Sequence, residues 1–353
     1  MYENITYDML VQRMLNRIPN QFDKREGSII YDAIAPAAVE LQNMYIEFDI
    51  ILQETFGDTA SREYLIRRAK ERGLTPYPST YALLKGEFTP SNLNISIGSR
   101  FSLNELNYYV KTKIADGVYQ MECETLGVQG NQYFGDLIPI EYIDGLQTAQ
   151  LTELLVPGED EEETEALRER YFSSFETKPY GGNRKDYIEK TNAIPGVGAT
   201  KVTPLWNGGG TVKLTILNSE FNKASPTLID NVQQEIDPTK DGQGLGIAPI
   251  GHIVTVDTVI EIEINISTII TFDDGYSFIG LRSQIEAVIE EYLLELRKTW
   301  ASQDNLIVRI AQIETRILNI QGVIDITDTK INGSSANFML SAYEIPIMGS
   351  VSG

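Results

Sequence analysis

The sequence predicts a multidomain α+β protein with an N-terminal helical arm, a small β domain and two tandem α+β units. Three observations lead to this fold class. The chain has 353 residues, which is more than one hydrophobic core usually serves. Apolar residues recur at helical spacing before a proline-rich linker at 75–78 and at strand spacing after it. Helical and strand-like segments then alternate, so the predicted domains are 1–75, 76–157, 158–272 and 273–353.

The N-terminal arm is predicted to contain an amphipathic helix over 32–56 and a further helix over 59–72, with Asp58 as N-cap and Gly73 as stop. Apolar residues of the first helix alternate spacings of three and four, and therefore form one stripe. An arm of about seventy residues buries little apolar surface alone, so a partner helix and packing in the chain's own core are both open. The predicted contact residues are Leu41, Tyr45, Phe48, Leu52, Tyr64 and Leu65.

Beyond the linker, short apolar runs separated by glycines predict a small β domain, either a sandwich or a barrel. In the second half of the chain the clearest strand is 259–267, where every second residue from Ile260 to Ile266 is isoleucine. The tetrapeptides IPGV at 194–197 and IQGV at 320–323 each follow a predicted helix and precede a predicted strand. This repetition indicates two similar α+β units.

An acidic joint at 156–182 separates the β domain from the α+β half. Seven of the eight residues from Glu159 to Ala166 are acidic or threonine, and Arg168 and Arg170 follow. Acids before bases match the dipole of a short helix. Consecutive glutamates on a helix point in different directions, so a solvated helix start is favoured over a metal site.

Helix-breaking residues bound this joint on both sides. Pro157-Gly158 opens it, and Lys178-Pro179 with Gly181-Gly182 closes it. A flexible link between domains would permit rearrangement, and we predict Pro157 and Gly158 as the hinge.

The composition argues against most binding and catalytic chemistry. The excess of 50 acidic over 29 basic residues gives a net charge of −21, which repels nucleic-acid backbones. His252 and Cys123 are the only histidine and cysteine, so no common zinc site or intrachain disulfide is expected. His252 begins an apparent strand, where an ordinary hydrogen bond is favoured over a catalytic role. No apolar run reaches the length of a membrane span.

The sequence also lacks the common cofactor-binding and metal-binding motifs. The segment 237–248 resembles a calcium loop until its twelfth position, which is Ala248 instead of an acid. No phosphate-binding glycine motif occurs. We therefore predict no catalytic, metal-binding or cofactor-binding residue, although a carboxylate pair for glycoside cleavage stays open because an acidic chain offers many pairs.

Five segments, in order along nearly the whole chain, carry a family resemblance. They are KREGSIIYD at 24–32, IGSRF at 97–101, the group Leu167, Arg168 and Arg170, PGV at 195–197, and the glycine-marked segment 245–251. Together they resemble the baseplate J-like family of contractile phage tails, in the form found in Gram-positive prophages and their bacteriocin derivatives.

The resemblance implies a structural protein without catalytic residues. Members are wedge components of the tail baseplate, repeated in a six-fold ring around a central hub and assembled in the host cytoplasm. The implied partners are other copies of the chain and the neighbouring wedge, hub and sheath-initiator proteins. N-terminal helices would join a bundle with neighbouring wedge chains, and the ring would rearrange on contraction. The alternatives are a tail-associated peptidoglycan hydrolase and a receptor-binding baseplate protein.

Overall fold

The computed structural model describes residues 2, 4–176 and 181–353, so the predicted Lys178-Pro179 end of the joint lies outside the described residues. Helices and sheets occur together, which confirms the α+β class. The helices are α1 (Tyr7–Leu15), α2 (Ile29–Thr55), α3 (Arg62–Glu71), α4 (Thr164–Glu176), α5 (Arg184–Asn192), α6 (Pro226–Ile236), α7 (Phe278–Thr299) and α8 (Ile310–Leu318). The strands are β1 (Tyr81–Thr89), β2 (Arg100–Leu103), β3 (Leu106–Ala115), β4 (Val118–Leu126), β5 (Gly135–Asp136), β6 (Ile138–Pro139), β7 (Thr148–Val156), β8 (Val197–Pro204), β9 (Thr211–Asn218), β10 (Ile253–Thr258), β11 (Ile260–Phe272), β12 (Ile307–Val308), β13 (Val323–Ile331), β14 (Phe338–Met339) and β15 (Glu344–Ser352).

The chain divides into two compact units. The first unit comprises Met1–Tyr77 and Glu162–Thr177, and the second comprises Pro78–Glu161 and Lys178–Gly353. The first unit therefore contains α1 to α4, and the second contains every strand together with α5 to α8.

In the first unit, α1 and α2 pack through a small apolar core. Side-chain oxygens of Thr6 and Ser28 accept hydrogen bonds from first-turn amides and define where the two helices begin. Because Ser28 caps it, α2 starts at Ile29 and not at the predicted Asp32. The buried residues of this core are Leu10, Val11, Leu15 and Ala38.

A second core of the same unit joins α3 to α4. Its buried residues are Ala60, Leu65, Ala69, Leu167 and Tyr171. The predicted N-cap Asp58 is wrong, because Ser61 occupies the N-cap position of α3. Residues 164–176, which the sequence placed in the first α+β unit, fold with the N-terminal helices.

The acidic run precedes α4 and does not form its first turns, which corrects the predicted helix start. α4 begins at Thr164. Glu162 Oε2 accepts a hydrogen bond from the Tyr77 amide at 3.1 Å, and Glu159 Oε1 accepts one from the Gly196 amide at 3.0 Å. These carboxylates bind backbone amides distant in sequence, so they do not serve as first-turn charges for a helix.

The β domain in the second unit is one antiparallel sheet of seven strands, in the order β5-β7-β1-β4-β3-β2-β6. Alternate residues of its strands face a single core; β1 contributes Ala82, Leu84 and Phe88. The strands that the sequence predicted to form a sandwich or a barrel are thus hydrogen-bonded to one another in a single sheet.

Two three-stranded sheets follow, and in each the central strand has one antiparallel and one parallel neighbour. β9 lies between antiparallel β8 and parallel β10, and β11 lies between antiparallel β13 and parallel β15. The repeated tetrapeptides form matching turns, in which Gly196 and Gly322 have φ of 88° and 94° after α5 and α8. The central strand β9 follows β8, whereas β11 precedes β13. The two units share a sheet pattern and a turn but differ in strand order along the chain.

Candidate interaction surface

An aromatic cluster lies on α2, where the sequence predicted contact residues. The ring centroids of Tyr45 and Phe48 are 6.4 Å apart, and the Tyr2 ring is 5.4 Å from Tyr45. The Tyr2 amide donates to both carboxylate oxygens of Asp49, at 2.9 and 3.0 Å, and lowers the pKa of that carboxyl. Phe48 is 43% exposed, whereas Leu41 and Tyr45 are half-buried against the α1–α2 core.

α2 exposes more apolar surface than the predicted stripe. Ala38 is the single buried residue of this helix. Six exposed apolar residues of α2 fall on two stripes by their spacing, Val39, Ile46 and Ile50 on one and Met44, Phe48 and Ile51 on the other. Sequence reasoning missed most of them, although six of the eight residues from Met44 to Ile51 are apolar. A helix that is apolar on several faces must pack against more than one neighbouring element to bury those faces.

Two grooves border this surface and share Ile50. One has a volume of about 330 Å³ and runs beside Tyr2 and Ile46. The other has a volume of about 310 Å³ and lies between Ile50 and the Tyr64 side of α3, with Arg67 at its edge. The grooves place apolar walls on both sides of the same α2 side chain, which suits an elongated apolar partner such as a helix.

The two predicted contact residues of α3 have different environments. Tyr64 is exposed, and the Arg67 guanidinium lies 5.1 Å from its ring centroid. Leu65 is fully buried in the α3–α4 core and serves packing within the chain. Leu52 on α2 is half-buried. Tyr64 and Leu52 thus remain available to a partner, and Leu65 does not.

Leu167 and Arg168 of the family signature fix α4 to the residues that follow α2. Leu167 is fully buried in the core shared with α3. The Arg168 guanidinium donates to the carbonyl oxygens of Gly57 and Ala60, the latter at 2.9 Å. One arginine therefore satisfies two backbone acceptors at the turn between α2 and α3.

Arg170, the second arginine of the signature, holds the linker. Its Nε and one terminal nitrogen donate to the two Glu162 carboxylate oxygens at 2.8 and 2.7 Å. The same terminal nitrogen donates to the Thr75 carbonyl at 2.6 Å, and the guanidinium lies 3.9 Å from the centroid of the Tyr77 ring. This bidentate and stacked geometry is specific to arginine.

The predicted hinge residues Pro157 and Gly158 are buried in the second unit. The Gly158 amide donates to Asn131 Oδ1 at 2.8 Å, and its carbonyl accepts from Asn131 Nδ2 at 3.0 Å. A Cβ at position 158 would lie 2.7 Å from the Gly127 carbonyl oxygen, so glycine is required by the close backbone approach. The chain enters the first unit only at Glu162.

The lone histidine and cysteine have structural contacts. His252 Nδ1 lies 2.7 Å from the Tyr187 hydroxyl, and burial raises the pKa of Tyr187 to about 12. Cys123 is buried in the β-domain core, and burial raises the pKa of its thiol. Over residues 4–176 and 181–353, no three histidine, cysteine, aspartate or glutamate side chains cluster in a way that could hold a metal ion.

Comparisons with known proteins decide the family. Residues 179–258 match the baseplate J-like central domain, and residues 264–353 match the baseplate J-like protein C-terminal domain. The phage-like element PBSX protein XkdT of Bacillus subtilis (strain 168) is 41% identical over 353 residues, which cover 99% of this chain and 98% of the relative. This chain belongs to the baseplate J-like family.

Two further matches complete the comparison. The protein YqbT of Bacillus subtilis (strain 168) is 42% identical over 99% of this baseplate J-like chain and 98% of its own length. A solved structure, the six-fold symmetrised baseplate of the anti-feeding prophage, matches 98% of this chain and 91% of its own with 8% identity and a TM-score of 0.43, a likeness too distant to bear on function. Family membership confirms the resemblance drawn from residue order and supports a structural role in a phage tail baseplate. Within the described part of the chain, no helix has the length and apolarity to cross a membrane.

Proposed function

We propose that this baseplate J-like protein is a wedge component of a contractile tail and that α2 packs against helices of neighbouring wedge proteins. The supporting observation is the 27-residue α2 with Ala38 as its single buried residue. Covering a half-exposed Val, Ile, Met or Phe side chain stabilises an interface by roughly 1 kcal/mol. Six such side chains on α2 provide enough apolar surface for a stable helical bundle.

The proposal for the wider assembly rests on the chain's membership in the baseplate J-like family. Copies of this chain would form a six-fold ring around the hub and contact neighbouring wedge, hub and sheath-initiator proteins. Assembly would take place in the host cytoplasm, and the mature protein would reside in the tail baseplate of a phage or a bacteriocin particle. The proposed contact residues are Leu41, Tyr45, Phe48, Leu52 and Tyr64.

The test is assembly with neighbouring tail proteins after co-expression. The double change Tyr45→Asp with Phe48→Asp should block the ladder of hetero-oligomers seen by native mass spectrometry, because two charges would be buried in an apolar interface. Tyr45 also packs against the α1–α2 core, so Phe48→Asp alone is the cleaner variant. We expect the single change to weaken assembly at least about tenfold.

Asn43→Asp is the matched control, because it adds the same charge to an exposed polar position of α2. It should assemble like the unaltered chain. Normal hetero-oligomers with Phe48→Asp, at unchanged helical circular dichroism, would contradict the α2 interface.

We further propose that the protein is not an enzyme, as its membership in a family of baseplate components suggests. Zymography of the purified chain on Gram-positive cell walls tests this directly. Clearing by this protein would favour the peptidoglycan-hydrolase alternative.

We also propose Pro157 and Gly158 as a hinge used during contraction. A change to Ala-Ala at both positions would place a Cβ against the Gly127 carbonyl and disturb packing as well as flexibility. Pro157→Ala alone avoids this overlap and should impair contraction more than assembly, scored by electron microscopy of tails. Impaired assembly with normal contraction would argue against the hinge.

A further inference from the structure

The chain contains two Asn-Gly pairs, Asn207-Gly208 and Asn332-Gly333, and both lie in exposed turns of the second unit. The first pair lies in the turn between β8 and β9, and the second follows β13. Both glycines have left-handed φ angles, 94° for Gly208 and 79° for Gly333, and a Cβ on either would meet no atom within 4 Å. The two pairs thus match in sequence, exposure and glycine conformation.

An Asn-Gly pair is able to react with itself. The backbone nitrogen of the glycine attacks Cγ of the asparagine and closes a succinimide ring, because glycine has no Cβ to obstruct the approach. The bond from Cγ to Nδ2 breaks, and ammonia leaves with the proton that the glycine nitrogen loses. Water then opens the ring at either carbonyl and yields aspartate or isoaspartate. The reaction consumes one water, releases one ammonia and changes no oxidation state.

Two hydrogen bonds restrain the Asn332 side chain. Its Nδ2 donates to the Glu263 carbonyl oxygen at 3.1 Å, and its Oδ1 accepts from the Asn265 amide at 2.9 Å. The turn itself is also fixed, because Ile331 and Ser334 exchange two backbone hydrogen bonds of 2.9 Å. Movement of Cγ toward the nitrogen of the next residue therefore has to break both side-chain hydrogen bonds.

The Asn207 side chain lacks this restraint. Within the part of the chain that the structure describes, its amide group forms no hydrogen bond, and only the backbone N–H of Asn207 donates, to Thr211 Oγ1 at 3.0 Å. The attacking nitrogen, that of Gly208, donates to the Leu205 carbonyl at 3.3 Å, which is longer than a usual hydrogen bond of this kind. Rotation of the side chain toward the Gly208 nitrogen thus opposes only this one weak bond.

We propose that Asn207 is a self-modifying site, converted to aspartate and isoaspartate in the folded protein with water as the co-reactant, and that Asn332 is protected from the same reaction. The product adds a negative charge to the turn between β8 and β9. Leu205 and Trp206 in this turn are 66% and 44% exposed, so an apolar tip acquires a carboxylate. Isoaspartate also adds a methylene carbon to the main chain. The modification therefore changes a surface of the second unit and removes no side-chain contact of Asn207 within the described fold.

Peptide mass spectrometry of the full chain, after incubation in heavy-oxygen water at mildly alkaline pH, tests the proposal. Each conversion incorporates one oxygen from water, so products formed during the incubation are distinguished from earlier ones. We expect Asn207 to convert at least about tenfold faster than Asn332, because two hydrogen bonds protect the latter. An isoaspartyl methyltransferase should label the Asn207 peptide. In the chain unfolded by guanidinium chloride the two asparagines should convert at similar rates, since glycine follows both.

Asn207→Gln is the matched variant, because glutamine keeps the amide but would have to close a larger and less favourable ring. Position 207 is exposed, so the variant should fold normally, lose the modification there and leave the slow conversion of Asn332 unchanged. Equal rates at the two asparagines of the folded protein, or an Asn207 that converts only after unfolding, would overturn the proposal. A rate difference that persists in the unfolded chain would do so as well, since flanking residues and not hydrogen bonds would then set the rates. The experiment uses the isolated chain, so failure of the wedge proposal leaves its result unaffected.

Discussion

Helices α2 and α7 are the two longest among the described residues, and they use their apolar residues in opposite ways. α7 has 22 residues and buries Leu281, Ile285, Ile289, Tyr292, Leu293 and Arg297. α2 has 27 residues and buries Ala38. Because α7 is covered by its own sheet and α8, its apolar surface stabilises the fold. The apolar surface of α2 contributes little to folding and remains available to other proteins.

The same contrast extends to the two compact units. The second unit is held by three apolar cores, whereas the first has two small ones and depends on the arginines of α4. Both tryptophans of the chain, Trp206 and Trp300, lie in the second unit, so tryptophan fluorescence monitors that unit alone. The two units can therefore be followed separately in one sample.

The largest expected effect is on the free energy of unfolding, when one isoleucine in each long helix is changed to alanine and the two variants are compared. Ile289→Ala removes a fully buried side chain from α7 and should lower the free energy of unfolding of the second unit by about 2–5 kcal/mol. Ile50→Ala on α2 is the matched change at an exposed position and should shift stability by no more than about 0.5 kcal/mol. Urea titration followed by tryptophan fluorescence and far-ultraviolet circular dichroism measures both. A comparable loss from Ile50→Ala would show that α2 is covered within the chain.

The second largest effect is expected from a change that removes polar contacts within the first unit and therefore lowers the stability of that unit alone. Arg170→Lys keeps the charge but loses the bidentate pair with Glu162 and the stacking on Tyr77, and should cost about 1–3 kcal/mol. Faster amide hydrogen exchange in α3 and α4, with an unchanged tryptophan transition, is the expected result. Arg67→Lys disturbs an exposed pair with Glu63 and should cause no measurable change. If the tryptophan transition also shifts, the two units do not unfold independently.

Local patterns were sufficient to predict the helix α2, the α+β class and the repeated helix-to-strand order around Gly196 and Gly322. The spacing of apolar residues and a glycine after a helix are properties of adjacent residues. Leu65 was misassigned because its neighbour Leu167 is distant in sequence, and nothing near Leu65 reveals that contact. The helix start at the acidic run was wrong for the same reason, since Glu162 is bound by Tyr77.

The smallest expected effect is on the pH dependence of stability. It concerns Glu159 in the second unit, which we compare with Glu162 in the first unit. Glu162 in the first unit is paired with Arg170, whereas Glu159 in the second unit accepts hydrogen bonds without a basic partner among the described residues. Burial raises the pKa of Glu159 above its ordinary value, although the hydrogen bond from the Gly196 amide opposes the shift. The folded protein then takes up this proton more readily than the unfolded chain does. The stability linked to Glu159 is therefore present at acid pH and is lost as the pH rises through the raised pKa.

Glu159→Gln removes this ionisation and keeps an oxygen that accepts from the Gly196 amide. Relative to the unaltered protein, the variant should gain stability at pH 7.5 and show no gain at about pH 4, below the ordinary glutamate pKa. Urea titration by tryptophan fluorescence at the two pH values measures the difference, and Glu163→Gln serves as an exposed control. An equal change at both pH values would mean that Glu159 acts through its hydrogen bonds and not through its charge. In that case the two carboxylates, despite their different partners, would both hold backbone amides and would differ only in the unit they stabilise.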